Sequence, residues 1–234
     1  MASHQNRLLS ILAANAPSFV AGLRTVDLPQ NSVLFHVNET VEHVYWPHTG
    51  VVSLVIDLED GGVVEAAMTG FDGVCGAAFA INDQPAIHRA VTQIAGHASA
   101  IKAEALRKIV KEDQHLRELL AKYEQFVLAQ AQQSAACNVK HPVHNRLARW
   151  LLRARDLMRD DYLPLTQEFL SDMLGVRRST VSLEAHKFQE SGLIKYRRGR
   201  VQVTDAQGLQ EVSCECYQTI NKIYEKMFGT LRPS

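Results

Sequence analysis

The 234-residue sequence has few cysteines, no long apolar run and no net charge. Its four cysteines (Cys75, Cys137, Cys214 and Cys216) are too scattered for a disulfide framework, and no CxxC pair is present to build a zinc ribbon. The longest run without charged or strongly polar residues, 73–81, is far shorter than the roughly 20 residues of a membrane helix. We therefore expect free thiols, no bound metal or cofactor, no membrane association and a cytoplasmic location.

The net charge of zero conceals two halves of opposite sign. Residues 1–139 contain 9 Lys and Arg against 14 Asp and Glu, whereas residues 140–234 contain 16 against 11. An acidic half joined to a basic half indicates that only the C-terminal part binds a polyanion such as nucleic acid.

Residues 24–103 have the pattern of an antiparallel β structure, preceded by a helical stretch at residues 5–23 that Pro17 interrupts. Short β-branched runs alternate with turn residues, and Glu59-Asp60-Gly61-Gly62 is the clearest hairpin signal. A turn about every 8–12 residues is typical of a sandwich or barrel. The predicted strands cover residues 32–35, 43–46, 51–58, 63–68, 91–94 and 98–101.

The pattern becomes helical from Lys102, and residues 115–137 contain neither Gly nor Pro. Residues that are apolar in the N-terminal half, and polar or small in the C-terminal half, recur there at heptad spacing. This pattern predicts a dimerisation helix over residues 115–139. A long helix packed on its own barrel would show a similar stripe, but a seam this narrow favours a partner helix. The predicted dimer seam consists of Leu116, Leu119, Tyr123, Phe126 and Gln130.

The strongest functional signal lies in residues 165–188. Thr166 is a good helix N-cap, and Gly175 can take the left-handed conformation that ends a helix. A second helix then begins near Arg178 and buries Val181 and Phe188. Two helices joined by a short Gly-containing turn form a helix-turn-helix, whose second helix enters the DNA major groove.

A basic hairpin follows, with three arginines around the tight turn at residues 197–200. Arginines at such a tip are well suited to phosphates, because each phosphate neutralised releases a counterion. On the second helix, Arg178 can read guanine, whereas Thr180 and Lys187 are better placed for phosphate oxygens. The predicted DNA-binding residues are Arg177, Arg178, Ser179, Thr180, Ser182, Leu183, His186, Lys187, Arg197, Arg198 and Arg200.

These features together resemble the Crp–Fnr regulators. The resemblance rests on the motif Leu170-x2-Met-Leu-Gly-x2-Arg178-x-Thr-Val, followed by Gly-Leu-Ile and a basic wing. It implies an α+β fold with three parts: a cyclic-nucleotide-binding-like antiparallel β-roll or jelly-roll sensor (1–114), the dimerisation helix (115–139) and a winged helix-turn-helix (140–234). It further implies a non-enzymatic transcription regulator that binds a palindromic operator in double-stranded DNA as a homodimer and contacts RNA polymerase.

The effector positions depart from the family pattern. The resemblance places the cyclic-AMP contacts at Gly76-Ala77 and His88-Arg89, where the family's cyclic-AMP binders carry Gly-Glu and Arg-Ser. Because Ala77 stands where the family has Glu, the ribose of cyclic AMP would have no carboxylate to accept its hydrogen bond. We therefore expect an effector other than cyclic AMP, and Arg89 could bind an anionic group of it. The N-terminal cysteine group of the oxygen-sensing branch is absent, since no cysteine precedes Cys75.

Three cysteines (Cys137, Cys214 and Cys216) suggest a redox sensor. If the last two lay on one helix, their sulfurs would point about 200° apart, which argues against a shared metal. Two other interpretations stay open at this stage: a metal-dependent cupin-type enzyme that uses the barrel histidines, and a constitutive DNA-binding protein whose barrel only sets dimer geometry.

Overall fold

The computed structural model describes residues 6–230, which divide into two compact units. Among the described residues, the first unit comprises 6–54 and 68–128, and the second comprises 55–67 and 129–230. The division thus falls inside the predicted dimerisation helix, whereas the predicted domain boundaries lie at its two ends. Within the described range, no helix has both the length and the apolar character of a membrane span.

The N-terminal half of the chain contains two sheets, with the strand orders β1-β7-β3 and β2-β6-β4-β5. In β3, buried Val44 and Trp46 alternate with partly exposed His43 and Tyr45, as expected of a strand with one face in the core. All six predicted strands are present, and β1 is an additional edge strand. The strands are β1 (Arg24–Leu28), β2 (Val33–Phe35), β3 (His43–Pro47), β4 (Val51–Asp57), β5 (Val63–Thr69), β6 (Arg89–Ile94) and β7 (Gly96–Lys102).

The N-terminal helices are fixed by a buried cap. The Asn6 side chain accepts a hydrogen bond from the Leu9 amide at 3.1 Å and donates to the carbonyls of Pro47 and Gly73, both at 2.8 Å. The predicted break at Pro17 is confirmed, because Pro17 begins a second helix; residue 5 lies outside the described residues. The helices of this half are α1 (Arg7–Asn15), α2 (Pro17–Ala21), α3 (Ala77–Asn82), α4 (Ala103–Glu112) and α5 (Gln114–Lys140).

Helix α5 corrects the predicted dimer seam. All five seam residues are already buried in the single chain, between 0% and 8% exposed: Leu116, Leu119, Tyr123, Phe126 and Gln130. The Tyr123 hydroxyl hydrogen-bonds to the Thr69 hydroxyl, and its ring fills the space beside Gly73. The prediction of these residues as the partner-facing surface is therefore wrong, because the most apolar stripe of the helix packs into the chain's own core.

The C-terminal half is a winged helix-turn-helix. A small sheet in the order β8-β10-β9 lies beside five helices of the described range. Leu147, Trp150, Val181, Phe188 and Tyr224 are almost fully buried and form the centre of this core. The elements are α6 (Val143–Met158), β8 (Tyr162–Leu163), α7 (Gln167–Leu174), α8 (Arg178–Glu190), β9 (Ile194–Arg197), β10 (Arg200–Val203), α9 (Ala206–Glu211) and α10 (Cys216–Phe228).

The tip of the β4–β5 hairpin belongs to the same compact unit as this winged domain. Trp150 Nε1 donates to the buried carboxylate of Glu65 at 2.9 Å, so neither buried polar group lacks a partner. Val64 lies against Gly175, where an added methyl group would come within 2.9 Å of its Cγ2. The predicted α+β fold class, with antiparallel sheets, a long helix and a winged helix-turn-helix, is confirmed.

Candidate nucleic-acid interface

The first helix of the helix-turn-helix, α7, begins and ends where the sequence predicts. Thr166 Oγ1 accepts a hydrogen bond from the Phe169 amide at 3.1 Å, which satisfies one of the free amides at the helix start. At the other end Gly175 takes a φ of +61°, and the Val176 amide bonds back to the Ser171 carbonyl at 3.0 Å. This pattern is a Schellman motif, and it sets the direction in which the chain enters α8.

A residue that the sequence analysis missed also holds α7 in place. Arg146 of α6 is only 7% exposed, and its guanidinium donates to the Leu174 carbonyl at the last turn of α7. A cation at a helix C-terminus interacts favourably with the helix dipole. The contact joins residues far apart in sequence, so no local pattern could have indicated it.

The recognition helix α8 presents a free basic N-terminus. Val181, Ala185 and Phe188 are buried as predicted, which leaves the opposite face in solvent. Arg177 caps the helix and Arg178 begins it; both side chains are exposed, and within residues 6–230 neither forms an ion pair. Backbone amides and the helix dipole add positive potential at the same end, which favours phosphate binding there.

The predicted contact residues of α8 differ in how free they are. Ser182 Oγ donates to Gln167 Oε1 at 2.6 Å, and His186 pairs with Glu190 at 3.3 Å. Lys187 bonds to Glu184 at 2.9 Å, and Thr180 is half-buried. The freely exposed members of the set on this helix are Arg177, Arg178, Ser179 and Leu183, the last with 54% exposure.

Glu184 anchors α8 from its inner side. This largely buried carboxylate receives hydrogen bonds from Lys187 and from His144 Nδ1 at 2.7 Å. Burial alone would raise the pKa of Glu184, but these two partners bring it below its usual value. The recognition helix is thereby tied to α6 through an ionised group, and the outer face stays available.

The wing, residues 194–203, places three arginines around one tight turn. Arg198 and Gly199 have φ values of +48° and +75°, the geometry of a two-residue hairpin turn that matches the twist of the strands. Arg197 pairs across the hairpin with Arg200, and the side chains of Arg197, Arg198 and Arg200 all lie at the tip. In the described part of the chain none of them has an ion-pair partner, so three like charges stand close together without compensation.

Two family models match the chain. The cyclic nucleotide-binding domain matches residues 25–113, and the Crp-like helix-turn-helix domain matches residues 145–212. The chain belongs to the Crp–Fnr family of transcription regulators. A comparison with curated protein sequences finds no match.

Solved structures of Crp–Fnr regulators share this fold. FixK2 from Bradyrhizobium japonicum has a TM-score of 0.70 at 19% identity, over 82% of this chain and 98% of that chain. The c-di-GMP-responsive regulator CLP from Xanthomonas campestris has 0.64 at 17%, over 82% and 98%. A CRP/FNR-family regulator from Thermus thermophilus has 0.67 at 21%, over 81% and 98%. At such low sequence identities the likeness shows a shared fold and nothing more.

Two of the four predicted effector positions of this Crp–Fnr chain, Gly76 and His88, lie against an aromatic cluster. Gly76 lies beside Phe35, and His88 packs on the ring of Phe79 at 5.1 Å and that of Phe35 at 5.9 Å. Burial lowers the pKa of His88 to about 4, so its ring is neutral near pH 7. Ala77 is buried, and Arg89 at the start of β6 is half-buried. Arg89 is therefore the only cationic side chain among these four positions near pH 7.

The three cysteines of the predicted redox site come together in the second unit. Cys137 Sγ lies 3.5 Å from Cys214 Sγ, and Cys216 Sγ lies 3.6 Å from His141 Nδ1. The hydrogen bond from the Cys214 thiol lowers the pKa of Cys137 to about 5. His141 was missed by the sequence analysis, although the Cys-x3-His spacing, one helical turn, could have indicated it.

Proposed function

We propose that this Crp–Fnr regulator recognises a palindromic operator as a homodimer and reads base edges with the N-terminal part of α8. The observation that carries the proposal is the free basic surface formed by Arg177, Arg178 and the wing. A purely structural turn would gain nothing from three uncompensated arginines, whereas a turn beside a phosphate backbone would.

Helix α8 and the wing would contact different parts of the DNA. Arg178 lies at the start of a helix of the type that inserts its N-terminal residues into the major groove, where Arg pairs bidentately with guanine. Ser179 and Leu183 are exposed next to it and can contact a base edge and a thymine methyl. The wing arginines bind phosphates, which fixes the register without reading sequence.

The homodimer would form through the outer stripe of α5. Side chains that are exposed or only partly buried recur there at alternating spacings of four and three, which is the a/d pattern of a coiled coil. Leu128 and Val139 are 57% and 89% exposed, unusual values for apolar residues of this size. The stripe consists of Ala121, Gln125, Leu128, Gln132, Ala135 and Val139. Two recognition helices held in this way would meet half-sites about one DNA turn apart.

The remaining expectations follow from this role. The protein would act in the cytoplasm on double-stranded DNA, contact RNA polymerase and carry out no catalysis. An effector other than cyclic AMP would bias the separation of the two recognition helices by binding the β-roll or by shifting α5.

The test compares two arginine substitutions that remove the same charge. An operator is first selected from random oligonucleotides with the wild-type protein at one stated salt concentration. Arg178→Ala is expected to lose about 1–3 kcal/mol on that operator and to relax the preference at one base pair. Arg198→Ala is expected to weaken operator and random DNA alike and to reduce the salt slope by about 1. If Arg178→Ala keeps the wild-type ratio of operator to random binding, α8 is not the reading helix.

A further inference from the structure

We propose that Cys137, His141, Cys214 and Cys216 form a structural zinc site that joins the end of α5 to the start of α10. One ligand atom from each of the four residues lies within 4.8 Å of all the others. The site goes beyond DNA recognition and does not depend on it.

The distances match a tetrahedral site. Zinc bonds of about 2.3 Å to sulfur and about 2.0–2.1 Å to nitrogen give tetrahedral edges of about 3.8 Å between sulfurs and about 3.5 Å between sulfur and nitrogen. The measured edges are 3.5 Å from Cys137 Sγ to Cys214 Sγ and 3.6 Å from Cys216 Sγ to His141 Nδ1. The other four pairs of ligand atoms lie within 4.8 Å, so metal binding would have to shorten the longest of them by up to about 1 Å.

The backbone presents the ligands in two short chelating segments. The His141 amide bonds to the Cys137 carbonyl at 3.0 Å, so the helical turn that aligns these two side chains extends to the histidine. Cys214 precedes α10 and Cys216 is its first residue. The sulfurs of this Cys-x-Cys pair therefore need not point apart as they would on one helix, and the expectation of no metal loses its basis.

The surroundings are those of a closed structural site. The three cysteines are at most 5% exposed, and all are free thiols. Glu215 Oε2 lies 3.2 Å from His141 Nε2, which turns Nδ1 towards the sulfurs in the carboxylate–histidine–metal arrangement common at zinc sites. Gln133 Nε2 donates to Cys216 Sγ at 3.0 Å. Arg146 and Arg149 are close enough to interact with the cysteine sulfurs, and they would balance the charge of three thiolates.

Zinc is the metal that this donor set favours. Three thiolates with one imidazole in a tetrahedron are a common structural zinc set, whereas magnesium and calcium require oxygen ligands. A redox-active disulfide would need only two of the three sulfurs. It would also not explain why Glu215 orients the ring of His141 towards them. The four converging donors therefore favour a metal over a disulfide.

The first experiment uses the full-length wild-type protein. Purified under reducing conditions without chelators, it should contain one zinc per chain by elemental analysis. Replacement by Co²⁺ should give sulfur-to-metal charge-transfer bands and the intense visible bands of a tetrahedral centre. A protein that contains no zinc, and that takes up neither Zn²⁺ nor Co²⁺ stoichiometrically while its thiols are reduced, would overturn the proposal.

The second experiment uses substitutions with matched controls. Glu215→Gln keeps the shape of an exposed side chain and should lower zinc affinity about 10–100-fold in competition with a chromophoric chelator. Glu225→Gln, an exposed carboxylate further along α10, should leave that affinity unchanged. Cys214→Ser removes one of the three sulfur ligands and should weaken the Co²⁺ charge-transfer bands, whereas Cys75→Ala, at a buried cysteine outside the cluster, should leave them at full intensity. Unchanged zinc affinity in both Glu215→Gln and Cys214→Ser would contradict the assignment.

Discussion

Gly175 combines helix termination and packing in one residue. Its φ of +61° is costly for any side chain, and an added methyl group would lie 2.9 Å from Val64 Cγ2. Gly192 has a similar φ of +73° but open space around it. Comparing the same substitution at Gly175 and Gly192 therefore separates the cost of backbone strain from the cost of a packing clash.

We predict that Gly175→Ala lowers the free energy of unfolding by more than Gly192→Ala does. Backbone strain alone should cost about 1–2 kcal/mol at each position, and the contact with Val64 adds to it at the first. Urea unfolding of both variants measures the difference. Adding Val64→Ala should recover part of the loss in Gly175→Ala; equal losses in the two glycine variants would mean that Val64 does not restrict this turn.

His88 predicts a dependence of stability on pH. Its folded pKa is about 4, because the ring is buried, against about 6.5 in an unfolded chain. Below pH 6.5 the unfolded chain takes up a proton that the folded one does not, so stability is lost as the pH falls from 6.5 towards 4. Between pH 7 and pH 5 the loss from this residue should be about 2 kcal/mol.

The measurement is the free energy of unfolding at pH 7 and pH 5 for wild type and His88→Phe. Phe cannot titrate and retains the ring contacts with Phe35 and Phe79. The variant should show a smaller drop than wild type by about the predicted amount. An identical drop in both proteins would assign the pH dependence to other groups.

At the scale of elements, α5 carries two stripes with different roles. The inner stripe, which contains Leu116 and Tyr123, is buried in the chain itself, while the outer one remains accessible.

Leu128→Glu would bury two carboxylates in a dimer seam and should raise the dimer dissociation constant at least about tenfold. Sedimentation at several concentrations measures this. Lys222→Glu, at an exposed position on α10, is the control, and equal dissociation in both variants would move the dimer surface elsewhere.

The helix-turn-helix was predictable because its signals are local. Thr166, Gly175 and the buried Val181 lie within 16 residues and each acts on its immediate neighbours. The edge strand β1 was missed because its residues are largely exposed and show no clear alternation. Helix α3 was missed because it is only six residues long.

Other features depend on contacts that no local pattern contains. Heptad spacing indicates that α5 has an apolar stripe, but it cannot decide whether the stripe faces a partner or the chain's own core. The cysteine–histidine cluster joins residues separated by more than 70 positions. Only the tertiary fold brings these four side chains within ligand distance.

For the whole molecule, the exposed positive charge is distributed less evenly over the surface than the sequence suggests. Some arginines of the basic half, such as Arg146 and Arg153, are buried and contribute to packing. Among residues 140–230, the accessible arginines without an ion-pair partner are concentrated on the recognition helix and the wing: Arg177, Arg178, Arg197, Arg198 and Arg200. A protein of zero net charge can in this way present a strongly positive surface to DNA.

The free arginines of the wing have a consequence for how the regulator searches the genome. Phosphates are the same in every DNA sequence, so wing arginines that bind phosphates, as proposed, would attract the protein to any duplex, with or without a signal. Most copies would then slide along non-target DNA, and operator occupancy would depend on the ratio of target to background affinity. A signal that strengthened both equally would switch no gene; to be effective it must change how well the protein discriminates.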